Sequence, residues 1–207
     1  MNNLNLKVIL AGNETKEKSL FPKKVDIQLI TTSLLTFYSL VFYFRIFYSS
    51  IQYSGVPASH ALAEEDADRM KNFKNSIFNV AKNKGIDPAV IAAIISRETR
   101  AGNVLPSSGW NEGGVAFGIM QVVARCNSPK GGKDSEEHIT QAAGILIDFI
   151  NSMNKSWPPA LQYKGGIAAY NCGPGAVTSQ DMDQNTEGGD YANDVVARAQ
   201  WYKHHGY

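Results

Sequence analysis

The sequence predicts an α+β domain, mainly α, with a small sheet and a central buried helix. Three observations carry that expectation. Apolar residues recur at three- and four-residue steps in several separate stretches after residue 53. The segment 89–98 is apolar almost all round, and one short β-branched run interrupts the helical pattern.

With 207 residues, 43% of them hydrophobic, the chain is long enough for one domain with a real core and an extension besides. Its 20 basic and 19 acidic side chains leave a formal net charge of +1, so no global field draws it to nucleic acid, and nucleic acid is excluded as a partner. Cys126 and Cys172 are its two cysteines, without CxxC or Cys/His ligand spacing. They read most simply as free thiols, one disulfide between them being the alternative. No metal and no cofactor is called for.

Residues 1–50 differ from the rest. From Ile27 to Tyr48 charge is almost absent, with Lys23 and Lys24 before the run and Arg45 near its end. A span of roughly 18 to 20 residues suits a bilayer, although Gln28 and several Thr and Ser residues weaken the signal. A signal anchor, an internal secretion signal and sequence foreign to the mature protein remain three open readings. The domain itself is assigned to 51–207.

Within it, Met70, Phe73, Ile77 and Val80 form the stripe of an amphipathic helix expected from about Ser59 to just before Gly85. Asp87-Pro88 is an N-cap followed by proline at the first helical position, opening a buried helix over 89–98. Gly118 to Val123 has short-strand character. Ile139, Ala142, Ala143, Leu146, Ile147, Ile150 and Met153 mark a further helix, closed by Trp157-Pro158-Pro159. A last one runs from Asp190 through Val195 and Ala199 to Tyr202, with Gly206 past its end. The polar stretch 179–189 reads as a mobile surface loop.

Glu98 follows Ile91, Ile94 and Ile95 at i+7, i+4 and i+3, so its carboxyl leaves the helix on the isoleucine face. Desolvation against apolar neighbours and a place in the last helical turn both disfavour its charge. A carboxyl still protonated near neutral pH can act as a general acid. The bland alternative is a glutamate that swings into solvent or pairs with Arg97 or Arg100.

Motifs weigh against that alternative. The stretch from Ala89 to Glu98, with Ala101-Gly102 after it, resembles the catalytic-helix motif of the goose-type lysozymes. Gly109-Trp110, Phe117-Gly118-Ile119-Met120-Gln121-Val122, His138-Ile139-Thr140-Gln141, Gly165 to Asn171 and Tyr191 to Gln200 follow in that family's order and approximate spacing. The resemblance covers 53–207. It implies a lysozyme-like fold and hydrolysis of the β-1,4 bond between N-acetylmuramic acid and N-acetylglucosamine in bacterial peptidoglycan, with inversion, by a secreted, monomeric antibacterial enzyme. Membrane attachment would follow only if 27–48 were a retained anchor, and an intracellular place is the other alternative.

By the same resemblance Glu98 is the general acid. Where the family has an aspartate in a Gly-Trp-Gly-Asp segment this chain has Glu112, which keeps the charge and is the candidate base. The family's second aspartate, directly after Met-Gln-Val, is Val123 here, and Asn127 stands near the place of a family histidine. Phe117, Gln121, Tyr170, Asn171 and Tyr191 are the implied sugar contacts, with core packing as the alternative for the three aromatics. His138 is read as structural, and Cys172 as a small buried hydrophobe. Because one base is missing, a lytic transglycosylase and a catalytically weakened peptidoglycan-binding protein stay as alternatives.

Overall fold

The structure, a computed structural model, describes residues 55–207, so the apolar run 27–48 lies outside the described residues. In chain order these residues form α1 (Val56–Met70), a 3-10 turn (Lys71–Phe73), α2 (Lys74–Lys84), α3 (Pro88–Thr99), β1 (Ala116–Phe117), β2 (Val122–Val123), α4 (Glu136–Ser152), α5 (Pro159–Cys172) and α6 (Tyr191–His204). The mainly helical α+β expectation holds. No helix among the described residues is long and apolar enough to cross a membrane.

The domain is assembled around α3. Every residue from Ala89 to Ser96 is buried, and α1, α2 and α6 pack on its sides. Asp87 caps it as the sequence implies, its Oδ1 accepting the Ala89 N–H at 3.0 Å. The helix ends where Arg100 and Ala101 take left-handed backbone, at φ 52° and 53°.

Four features depart from the sequence reading, each for a physical reason. The helix expected over 59–84 starts at Val56 and is broken by the 3-10 turn at Lys71–Phe73. One turn at 3.0 rather than 3.6 residues shifts the phase of the apolar stripe by only about 60°, so the break leaves little trace in the periodicity. Secondly, the strand expected over 118–123 is a hairpin. Ala116 pairs with Val123 and Phe117 with Val122, antiparallel, while Gly118–Gln121 form the connection.

Thirdly, α5 was not anticipated, because Pro158-Pro159 reads as a stop. It is equally a start, proline being suited to the first helical position. Gly166 disguises the helix for a tertiary reason: a Cβ there would come within 2.7 Å of the Ile150 Cα, so it permits the close approach of α4 and α5. Lastly, the stretch expected to be a mobile surface loop is tied to α6: the Asp183 carboxylate accepts the N–H groups of Ala192 at 2.6 Å and Asn193 at 2.9 Å. The segment 179–189 accordingly turns inward at Met182, Asp183 and Thr186, all buried, instead of lying wholly on the surface. Cys126 and Cys172 are both free thiols.

The hairpin connection is held against α4. His138 is fully buried, its Nε2 accepts the Met120 N–H at 3.2 Å, and its ring meets the edge of Phe117 at 5.8 Å. Burial pushes its pKa down to about 4, so it stays neutral and structural. Gly118 lies on this ring at φ 79°, where a Cβ would fall 2.3 Å from His138 Cε1. Gly118→Ala is therefore expected to lower stability by roughly 2 kcal/mol through overlap and backbone strain. Thermal unfolding checks this, and an unchanged Tm would refute the packing described.

Candidate active site

Glu98 sits in the last turn of α3, half-buried, with the hairpin connection on one side and the start of α6 on the other. Thr99 Oγ1 donates to the Ile119 carbonyl at 2.9 Å and Tyr170 Oη donates to the Met120 carbonyl at 2.8 Å, which ties α3 and α5 to that connection. Tyr191 Oη donates to Glu98 Oε1. The two tyrosines implied as sugar contacts thus have hydroxyls committed to the protein: Tyr170 braces the hairpin, and Tyr191, 2% exposed, positions the acid.

Desolvation is the largest influence on Glu98 and lifts its pKa from an ordinary 4.5 to about 7. The Tyr191 hydrogen bond and the charge of Arg97 work against that rise, and the carboxylate of Glu187 adds to it. Neither neighbouring arginine pairs with Glu98. Arg97 reaches Asp194 at 2.8 Å and Asp190 at 3.0 Å, while Arg100 reaches Glu65 at 2.7 Å and Asp66 at 2.9 Å. The bland expectation of a salt-bridged helix-terminal glutamate therefore fails. Burial and the proximity of Glu98 hold the Tyr191 and Tyr170 hydroxyls well above the usual phenol range, so both remain donors.

Glu112 is exposed and lines the same cavity as Glu98, about 270 Å3 in volume, with Thr99, Leu105, Asn111 and Gln121 among the other walls. Asn111 shapes the loop that carries it, its Oδ1 accepting the N–H groups of Val115 at 2.9 Å and Ala116 at 3.2 Å. Gln121 also lines a second cavity of about 140 Å3, bounded by Val123, Asn127, Tyr170 and Asn171. It adopts φ 49°, a left-handed conformation uncommon for a residue with a side chain, and its Nε2 donates to the Gly118 carbonyl at 2.8 Å. Asn171 Oδ1 accepts the Glu187 N–H at 2.8 Å, which leaves its amide nitrogen for a ligand. Phe117 lines neither cavity. It packs 5.0 Å from Trp110 and on His138 beneath the hairpin.

Sequence reasoning missed Glu187 and Asp183, which sit in an aperiodic polar stretch and owe their partners to the fold. Among the described residues no cluster of three or more His, Cys, Asp or Glu side chains could hold a metal ion. What the arrangement offers is a protonated carboxyl and a second, solvent-facing carboxylate opening on one cavity.

The family model described as Lysozyme g matches residues 48–206. Lysozyme g of Cyprinus carpio is 52% identical over 156 residues, covering 73% of this chain and 84% of the relative. Lysozyme G of Dromaius novaehollandiae is 49% identical over 156 residues, covering 73% and 76%. Lysozyme g-like protein 2 of Homo sapiens is 40% identical over 152 residues, covering 72% and 69%.

Carboxyl NMR should find Glu98 titrating near 7, with Tyr191→Phe moving the midpoint up and Glu187→Gln moving it down. Between about 4.5 and about 7 the folded chain keeps a proton that the unfolded chain gives up, so this group's contribution to stability declines as pH rises through that window. Glu98→Gln should then be more stable than the parent at pH 8 by on the order of 2 kcal/mol, with the gain vanishing in acid. A midpoint in the ordinary carboxylate range would refute both expectations.

Proposed function

The chain belongs to the lysozyme g family, and on that footing we propose that Glu98 is its general acid and Glu112 the base that activates water. The activity itself is that of a g-type muramidase, a glycosidase acting on peptidoglycan. Protonation of the leaving glycosidic oxygen needs a carboxyl that is neutral at the working pH, yet acidic enough to release its proton as the bond breaks. The single observation that supports the role of Glu98 most is geometric: its carboxyl receives a hydrogen bond from Tyr191 while both neighbouring arginines are engaged elsewhere, and desolvation there pushes its pKa up to about 7.

Water must attack from the side opposite the leaving group, and the base must be ionised and reach solvent. Glu112 reaches solvent: it is exposed and borders the cavity of Glu98. An acid and base separated by roughly 6.5 to 9.5 Å leave room for a water between base and sugar, and the product anomer is then inverted. Val123 offers no carboxylate at the place of the family's second aspartate, so Glu112 carries the task alone. Gln121 and the amide nitrogen of Asn171 suit acetamido and hydroxyl groups of the glycan, which need donors and acceptors. Secretion as a monomer and a part in defence against bacteria complete the reading.

Glu98→Gln should reduce cell-wall lysis by at least 100-fold, and Glu112→Gln by about tenfold or more, since each removes a proton-transfer group. Full turnover by either variant would remove that residue from its role. Mass spectrometry of the released muropeptides should find reducing ends. Anhydro-muramyl ends would instead identify a transglycosylase that dispenses with the base, which Val123 makes worth testing.

A further inference from the structure

A third cavity lies at the other end of α3 from Glu98. It opens beside Asp87 and Val90, at the start of that helix, about 16 Å along the axis from the acid in the last turn. It shares no lining residue with either cavity of the cleft. At about 470 Å3 it is the largest of the three, within the range of roughly 300 to 1,000 Å3 that small-molecule sites occupy. Its walls come from one face each of α5 and α6: Ala160, Lys164 and Ile167 on the first, Val196, Ala199 and Lys203 on the second, all at three- and four-residue steps. The alanines keep open a space that longer side chains would fill.

Three polar features interrupt these apolar walls. Tyr163 borders the cavity, and its hydroxyl oxygen is buried without a hydrogen-bond partner. Burial, and after it the charge of Asp87, pushes its pKa up to about 12, so the hydroxyl remains a donor in need of an acceptor. Lys164 Nζ donates to a neutral group, Asn193 Oδ1, at 2.6 Å, and no carboxylate pairs with it among the described residues. Lys203, in contrast, is paired with Asp87. The cavity therefore presents one donor lacking an acceptor and one cation lacking an anion on otherwise apolar surface. Charge complementarity calls for a single anionic acceptor at the end of an apolar body.

We propose that this cavity binds a medium-chain fatty acid, with the acyl chain between α5 and α6 and the carboxylate on Lys164 and the Tyr163 hydroxyl. At roughly 30 Å3 for each water-sized group the volume takes about fifteen of them, which matches an acyl chain of about ten to twelve carbons with its carboxylate. Methylenes lose water against Val90, Leu161, Ile167 and Val196. A sugar does not fit this chemistry, because its hydroxyls would face apolar walls without partners. The site is thus a second ligand function, separate from the glycan cleft, and its occupant packs on the first turn of the helix that carries Glu98.

The test is titration calorimetry of the full chain with sodium octanoate, decanoate and dodecanoate, each below its micellar concentration. One site per chain is expected, tightening about threefold with each added methylene. Ala199→Phe should fill the space and weaken decanoate at least tenfold, with thermal unfolding followed alongside to establish that the variant folds. Lys164→Gln leaves the packing in place. It should weaken decanoate about three- to fivefold and leave 1-decanol within about twofold, and it carries the test alone if Ala199→Phe does not fold. Absence of saturable one-to-one binding overturns the proposal, as does adsorption of many ligands per chain. Equal weakening of acid and alcohol by Lys164→Gln, or undiminished binding by a folded Ala199→Phe, overturns it as well. Cell-wall lysis plays no part in the readout, so failure of the general-acid assignment leaves this test unaffected.

Discussion

The cleft depends on where two aspartates send four arginines. Asp66, fully buried, accepts from Arg69 at 2.5 Å and Arg100 Nε at 2.9 Å on Oδ1 and from Ser96 Oγ at 2.7 Å on Oδ2, which lies 3.7 Å from Arg198. Asp194 accepts from Arg97 at 2.8 Å and Arg198 at 2.9 Å. These contacts fasten the end of α3 between α1 and α6, and they occupy the cations that would otherwise fall on Glu98. A charge network this deeply placed gives uncertain net stability, because desolvation offsets much of the Coulomb attraction. Its clear consequence is positional: Glu98 is left with a phenol and an apolar surround, which favour the protonated acid over the anion.

Rigidity around that carboxyl comes from neutral contacts. Tyr170 on the Met120 carbonyl, Thr99 on the Ile119 carbonyl and His138 on the Met120 N–H hold the four-residue connection of the hairpin from three helices. Gln121 keeps its uncommon backbone conformation inside this frame and looks into both cavities. Strain of this kind, of order 1 kcal/mol, persists where surrounding structure over-determines a residue. The acid and the glycan contacts are thereby set on a rigid wall, while Glu112 stands on the loop that Asn111 shapes.

Much of the fold was legible because its signals are local. The cap at Asp87, the all-round apolar α3, the stripe of α4 and the long final helix follow from spacing within one element. Glu98 was legible for the same reason, since seven residues along a helix return to the same face. The helix α5 was hidden because Gly165 and Gly166 argue against helix locally, and only the pressure of Ile150 and Met153 explains them. The hairpin was blurred into one strand because the turn between its halves contains Ile119 and Met120, buried by tertiary contact.

By itself the sequence determined that this is a mainly helical α+β domain with a carboxyl on the buried face of its central helix, and through its motifs which family it belongs to. These are properties of short-range periodicity and of residue order. Only the tertiary structure decided what surrounds that carboxyl: Tyr191 donating to it, Glu187 adding negative charge from a polar loop, and Arg97 and Arg100 turned to other partners. A pKa is a sum over neighbours brought together in space from distant parts of the chain, and no spacing along the chain encodes that sum.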